Sequence, residues 1–161
     1  MAHGTRHKLL QKGAHVTEFT LSRVGGGQTS LHEITSKGAA LLAFFKVNCP
    51  VCQMTFPFLD RLQSERLPVY GISQNGMEDT QDFNRHFSLT MPMLLDTEAS
   101  GFAVSNAFGI SSVPTLFLVE PDGTVSQVSE GWHKGDVARF GELAGVNPFR
   151  PNDSVPEAKA G

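Results

Sequence analysis

The chain has 161 residues, which at roughly 150 residues per domain suits one domain. Hydrophobic residues make up 40% and charged residues 18%, with 12 Phe available for a core, which excludes a disordered or fibrous chain. Lys and Arg number 13 against 16 Asp and Glu, a net charge of −3 with no basic run, so nucleic acid and anionic lipid surfaces are not expected partners.

Met1 to Lys12 carries only Leu9 and Leu10 as large apolar residues, far short of the roughly 7–15-residue apolar run of a secretory leader. A cytoplasmic location is expected if Met1 is the native start, and a periplasmic or extracytoplasmic one if a leader was removed. Residues 1–12 read as a flexible segment, 13–146 as the folded domain and 147–161 as a tail. No run of about 18 apolar residues exists, so no membrane span is expected.

Val16 to Leu21 reads as extended, with Thr17, Phe19 and Leu21 on one side. Gly25 to Gly27 reads as a turn, because no phosphate-cradling pattern accompanies it. Ser30 and Glu33 stand at capping-box spacing for a short helix. Leu41 to Phe45 is a continuous apolar run of strand length, as a strand covered on both faces requires. Cys52, Phe56, Leu59 and Leu62 then recur at one helical face. Val69 to Ser73 reads as strand, Met77 to Phe87 as helix, Pro92 to Asp96 as strand and Ser100 to Phe108 as helix. Thr115 to Val119 is a second fully apolar strand, Pro121-Asp122-Gly123 a tight turn, Val125 to Val128 a strand and Gly135 to Ala144 a helix. This alternation predicts an α/β sandwich. Beyond Asn147, Pro148, Pro151 and Pro156 break any periodicity, and Phe149 is the one large aromatic anchor. A mobile strap is expected there.

Both cysteines of the chain lie in Asn48-Cys49-Pro50-Val51-Cys52, a redox or metal spacing rather than a structural staple. Pro50 suits the first helical position, where its missing N–H is no loss. Cys49 then takes the N-cap, where its sulfur accepts a backbone N–H and the helix dipole favours a thiolate. Cys49 is the expected nucleophile and Cys52, on the apolar stripe one turn on, the buried resolving thiol. A zinc site is not expected, because His32, His86 and His133 are isolated and no second cysteine pair exists. Ser112-Val113-Pro114-Thr115 precedes the second apolar strand, and a proline at that sheet end suits a cis peptide.

The succession of apolar strand, Cys49-Pro50-Val51-Cys52, helix and Val113-Pro114-Thr115 resembles the thioredoxin-like superfamily over about residues 13–144. The 65 residues from Cys49 to Pro114 leave room for an extra βα unit. With the extended opening around Phe19 and the Leu31 helix, that spacing is similar to TlpA/ResA-like thiol-disulfide oxidoreductases, within the redoxin and AhpC/TSA relatives. The motif itself is similar to the Cys-Pro-Thr-Cys of cytochrome c maturation reductants. The resemblance implies a three-layer α/β/α sandwich with a mixed central sheet, an extra βα insertion and an N-terminal extension. It also implies thiol-disulfide exchange with protein disulfides or dithiols, reset by an upstream thiol reductant or oxidant. No cofactor and no metal are implied, and a monomer is expected. Val113 and Pro114 would form the substrate groove, with Trp132 either beside it after the loop glycine Gly131 or acting as a core or strand-end anchor. Lys46 and His133 are candidates for tuning the thiols, His133 reading more simply as a lone surface histidine.

Three positions depart from the pattern. Asn48 stands where relatives often carry Trp, Ala43 where thioredoxins carry a buried acid, and Thr55 where ResA-type proteins carry a glutamate. A slow second exchange step is therefore expected. Two other readings compete. A peroxiredoxin motif set on Cys52 would need proline at Phe45 and threonine at Cys49, and neither is present. A Cu(I) chaperone on this fold would use the two thiolates and His133, at a spacing one residue shorter than such proteins usually have.

Overall fold

The computed structural model of the protein describes residues 8–161; residues 1–7 of the predicted flexible segment lie outside the described residues. In chain order the strands are β1 (Thr20–Arg23), β2 (Gln28–Ser30), β3 (Ala40–Phe45), β4 (Val69–Ser73), β5 (Met93–Leu95), β6 (Thr115–Val119), β7 (Val125–Glu130), β8 (Trp132–His133) and β9 (Ala158–Lys159). The helices are α1 (Leu31–Ile34), α2 (Pro50–Leu62), α3 (Met77–Phe87), α4 (Ala103–Phe108) and α5 (Lys134–Ala144). Seven strands form one mixed sheet in the order β2-β1-β5-β4-β3-β6-β7. Strands β3, β4 and β5 run parallel, while β1, β6 and β7 are antiparallel to their neighbours. The unit α3-β5 is the extra βα insertion: it places β5 between β4 and β1.

Strand β3 lies at the centre, between β4 and β6, and all six of its residues are buried. Its alternation feeds two aromatic clusters. Phe45 packs on Phe56 of α2 and Phe83 of α3, at ring separations of 4.2 and 5.0 Å. Phe44 points the other way, onto Phe108 of α4 and Phe117 of β6, at 4.8 and 5.8 Å. Helices α2 and α3 thus cover one face, α5 packs against α2, and α4 covers the opposite face. That is the three-layer sandwich. Phe44→Ala would empty a fully buried ring site, and is expected to lower unfolding free energy by about 3–5 kcal/mol in urea melts.

Local chemistry explains most boundaries. The Ser30 hydroxyl accepts from the Glu33 N–H while the Glu33 carboxylate accepts from the Ser30 N–H, both at 3.1 Å, so the capping box forms as expected. Ser30→Ala is expected to cost about 1 kcal/mol, read as a lower urea midpoint. The triglycine turn joins β1 to β2 with all three φ angles positive, a conformation open to glycine at little cost. The predicted helix Ser100 to Phe108 is instead split. A 3-10 turn ends at Ser100, Gly101 and Phe102 take left-handed φ of 69 and 51°, and α4 starts at Ala103. Buried Asp96 accepts the Val104 and Ser105 N–H groups at 3.3 and 2.6 Å, capping α4 from outside the helix.

Residues 8–12 and 147–161 are more tightly held than expected. Within residues 8–12, Leu10 donates its N–H to the Phe108 carbonyl at 3.0 Å, and Leu9 and Leu10 pack on the core. The segment 147–161 is a docked strap rather than a mobile one. Phe149 sits on Phe58 and Trp132 at 5.6 and 6.5 Å. Arg61 reaches both the Pro148 carbonyl and the Asp153 carboxylate at 2.9 Å, and β9 pairs antiparallel with β8. The physical reason is long-range pairing: the partners Phe58, Arg61 and Trp132 are brought to the strap only by the tertiary fold.

Candidate active site

The first apolar strand, β3, delivers the chain to the N-terminus of α2, where Cys49 takes the N-cap and Pro50 the first helical position. The Cys52 N–H donates to Cys49 Sγ at 3.2 Å, and Gln53 N–H donates to the Cys49 carbonyl at 3.0 Å. Both cysteines are free thiols, Cys49 half-buried and Cys52 at 0% exposure. Burial pushes the Cys52 thiol far above its ordinary range, and a hydrogen bond with Cys49 adds to the rise. The backbone N–H and charge of Lys46 oppose this only in part.

The loop before β6 meets the cysteines. The Val113–Pro114 peptide is cis, as expected for a proline at that sheet end. The Cys49 thiol donates to the Val113 carbonyl at 3.4 Å. Two bonds fix the loop: Thr115 Oγ1 donates to the Ser112 carbonyl at 2.8 Å, and the Gly131 N–H donates to the Pro114 carbonyl at 2.7 Å. Cys49, Cys52, Val113 and Pro114 are therefore brought together. Val113 also lines a pocket of about 190 Å³, together with Lys46, Gln74, Ser105, Asn106 and Ser112, among others. Exposed Lys46 stands at its rim.

Trp132 and His133 are placed elsewhere. Trp132 is fully buried; its indole packs on Phe58 at 5.1 Å and donates to the Pro156 carbonyl at 2.6 Å. Instead of lining an open groove, it anchors the strap. His133 is exposed, its backbone pairs with Ala158, and it hydrogen-bonds neither cysteine. The two positions where relatives carry an acid are equally clear. Ala43 is buried in β3 between Gly71 and Leu116, and buried Thr55 donates its hydroxyl to the Val51 carbonyl at 2.7 Å. The peroxiredoxin proline position, Phe45, is filled by a stacked core ring.

Sequence reasoning missed the segment around Gly161, which lies against Val113 and Pro114. Gly131 was its one available signal. This glycine has φ of 72° and leaves no room for a side chain, because a Cβ there would fall 2.6 Å from the Lys159 carbonyl oxygen.

Among the described residues no group of three or more His, Cys, Asp or Glu side chains is placed to hold a metal ion. No helix among them is long and apolar enough to cross a membrane.

Comparison with known proteins places this geometry in a family. The AhpC/TSA family model matches residues 12–128. The thiol-disulfide oxidoreductase ResA of Halalkalibacterium halodurans is 28% identical over 128 residues, covering 76% of this chain and 70% of that protein. The thioredoxin domain of a Bacteroides vulgatus thiol-disulfide oxidoreductase superposes with a TM-score of 0.73 at 20% identity, covering 83% of this chain and 96% of that one. The peroxidoxin BcpB of Mycobacterium tuberculosis superposes with a TM-score of 0.70 at 22% identity, covering 86% and 96%. With a cysteine-capped helix set against a proline-led strand in a seven-stranded mixed sheet, the chain belongs to the AhpC/TSA family, as a TlpA/ResA-like protein of thioredoxin fold.

Proposed function

We propose that the protein is a thiol-disulfide oxidoreductase in which Cys49 attacks and Cys52 resolves. The observation that carries this is the asymmetry of the pair. Cys49 is half-buried and accepts the Cys52 N–H, while Cys52 is sealed at 0% exposure. A substrate disulfide has access to one sulfur only. The N–H bond to that sulfur strengthens as it takes on charge. The name borne by the ResA relatives agrees with this reading.

In the reducing direction, Cys49 thiolate attacks one sulfur of the substrate disulfide. A mixed disulfide forms, and the other substrate sulfur leaves as a thiolate. Cys52 thiolate then attacks Cys49 Sγ, forming the Cys49–Cys52 disulfide and releasing the second substrate thiolate. Two electrons pass from protein to substrate, and the two thiol protons pass to solvent or product. An external dithiol restores the reduced pair. The Val113 backbone offers hydrogen-bonding groups to an extended protein segment, and Lys46, at the rim of the adjoining pocket, favours thiolates by its charge.

Reduction of insulin and of hydroxyethyl disulfide with dithiothreitol as donor tests the activity, and Cys49→Ser should remove it. Equilibration with glutathione sets the direction of flow: a potential near −270 mV marks a reductant and one near −120 mV an oxidant. Hydrogen peroxide is expected to be a poor substrate, because Phe45 and Cys49 occupy the peroxiredoxin proline and threonine positions. Peroxide turnover faster than disulfide turnover would overturn the assignment.

A further inference from the structure

Residues 158–161 of the strap lie on the substrate edge. Strand β9 pairs with β8 in the register Trp132 to Lys159 and His133 to Ala158. The Lys134 N–H donates to the Glu157 carbonyl at 2.9 Å. Antiparallel alternation therefore makes Trp132 and Lys159, two positions on, the next hydrogen-bonded pair. Beyond that pair the chain passes Gly131, where an added Cβ would meet the Lys159 carbonyl, the Gly161 nitrogen and Ala160 Cα at 2.6, 3.3 and 3.4 Å. It reaches Val113 itself. A Cβ built on Gly161 would overlap the Val113 carbonyl and lie 3.2 Å from Pro114 Cδ. That carbonyl is the group to which the Cys49 thiol donates.

We propose that residues 158–161 form an internal gate, an extended segment seated against the Val113–Pro114 edge that a protein disulfide must displace to reach Cys49. This rests on the reading of Cys49 as the attacking thiol. Three properties suit the segment to the role. Residues 157–161 are all exposed, so little of the segment's own surface is buried at the edge. Ala158, Ala160 and Gly161 carry small or no side chains, which permits close backbone approach. The hold is short and sits beyond a firm anchor, because Trp132 grips the Pro156 carbonyl and Lys134 the Glu157 carbonyl. The gate can therefore lift without undocking the strap. A small disulfide does not need an extended backbone edge, and approaches Cys49 with the gate in place.

The test compares the full chain with two variants on two substrates. Removing residues 159–161 deletes all of the gate but Ala158 and keeps both anchors. Lys159→Pro keeps the length and removes the N–H used in pairing with Trp132. A gate seated about ten times as often as not lowers the rate with a protein substrate about tenfold. Insulin reduction is therefore expected to rise by about that factor in both variants, with hydroxyethyl disulfide reduction unchanged. Insulin rates equal to or below those of the full chain in both variants would overturn the gate, as would equal gains on both substrates. A full chain that reduces neither disulfide would overturn the oxidoreductase assignment first, and the gate with it.

Discussion

Replacing Cys52 with serine is expected to leave the protein covalently attached to its substrate. The first exchange needs only Cys49, which is half-buried and receives the Cys52 backbone N–H at 3.2 Å. Serine supplies the same N–H, so attack proceeds and the mixed disulfide forms. Release needs a second sulfur within reach of Cys49 Sγ. The chain contains no third cysteine, so the adduct persists until external thiol cleaves it. Turnover should fall by about a thousandfold or more, the scale seen when one member of a catalytic unit is removed. Cys49→Ser should show the same loss without any adduct, because Cys52 at 0% exposure cannot meet a substrate. Intact-mass spectrometry after mixing with a peptide disulfide separates the two variants. An adduct on Cys49→Ser and none on Cys52→Ser would reverse the assigned roles.

Much of this site is legible in the sequence. The run Leu41 to Phe45 lacks polar residues because β3 is covered on both faces, and the stripe Cys52, Phe56, Leu59, Leu62 is fully buried because it lies on that sheet. Strands β4 and β6 and helix α3 fall on the residues their patterns indicated. Two kinds of feature were not legible. One is backbone choice that tertiary contacts impose: Phe102 adopts a left-handed φ of 51°, and Asp96 caps α4 from outside it. No local pattern signals either. The other is pairing between distant short segments. Strands β8 and β9 have two residues each, too few for any period, and their sequences do not advertise each other. Trp132 shows the consequence. The resemblance sets it beside the cysteines while its size suits an anchor equally, and the arrival of Phe149 and Pro156 from the strap makes it the anchor.

The pH dependence of the resolving step should be steep, because of what surrounds Cys52. Its thiol is pushed well above the ordinary range, first by burial and then by its hydrogen bond with Cys49. Only the thiolate attacks, so at neutral pH the reactive fraction is small and grows about tenfold per pH unit. In the mixed disulfide Cys49 Sγ is bonded to the substrate sulfur, so burial alone holds the Cys52 thiol up, and release of product is expected to accelerate by about tenfold per pH unit through neutral pH. The sign of the linked stability follows from the same shift. A thiol whose folded pKa is raised favours the folded reduced protein fully below its unfolded pKa of about 8.5, and that contribution is lost as pH rises further. Urea midpoints of the reduced protein should therefore fall above about pH 8.5, and Cys52→Ala should flatten that slope. Thr55 offers the converse experiment. It lies three residues beyond Cys52 in α2, buried and bonded only to the Val51 carbonyl. A carboxylate introduced by Thr55→Glu would accept the Cys52 proton, raising the release rate at pH 7 by about tenfold or more and flattening its pH profile, on the scale of general-base assistance. The same variant should unfold at lower urea, because a buried carboxyl loses its hydration. Release rates that do not vary between pH 6 and 9 in the unmodified protein would remove Cys52 deprotonation as the controlling step.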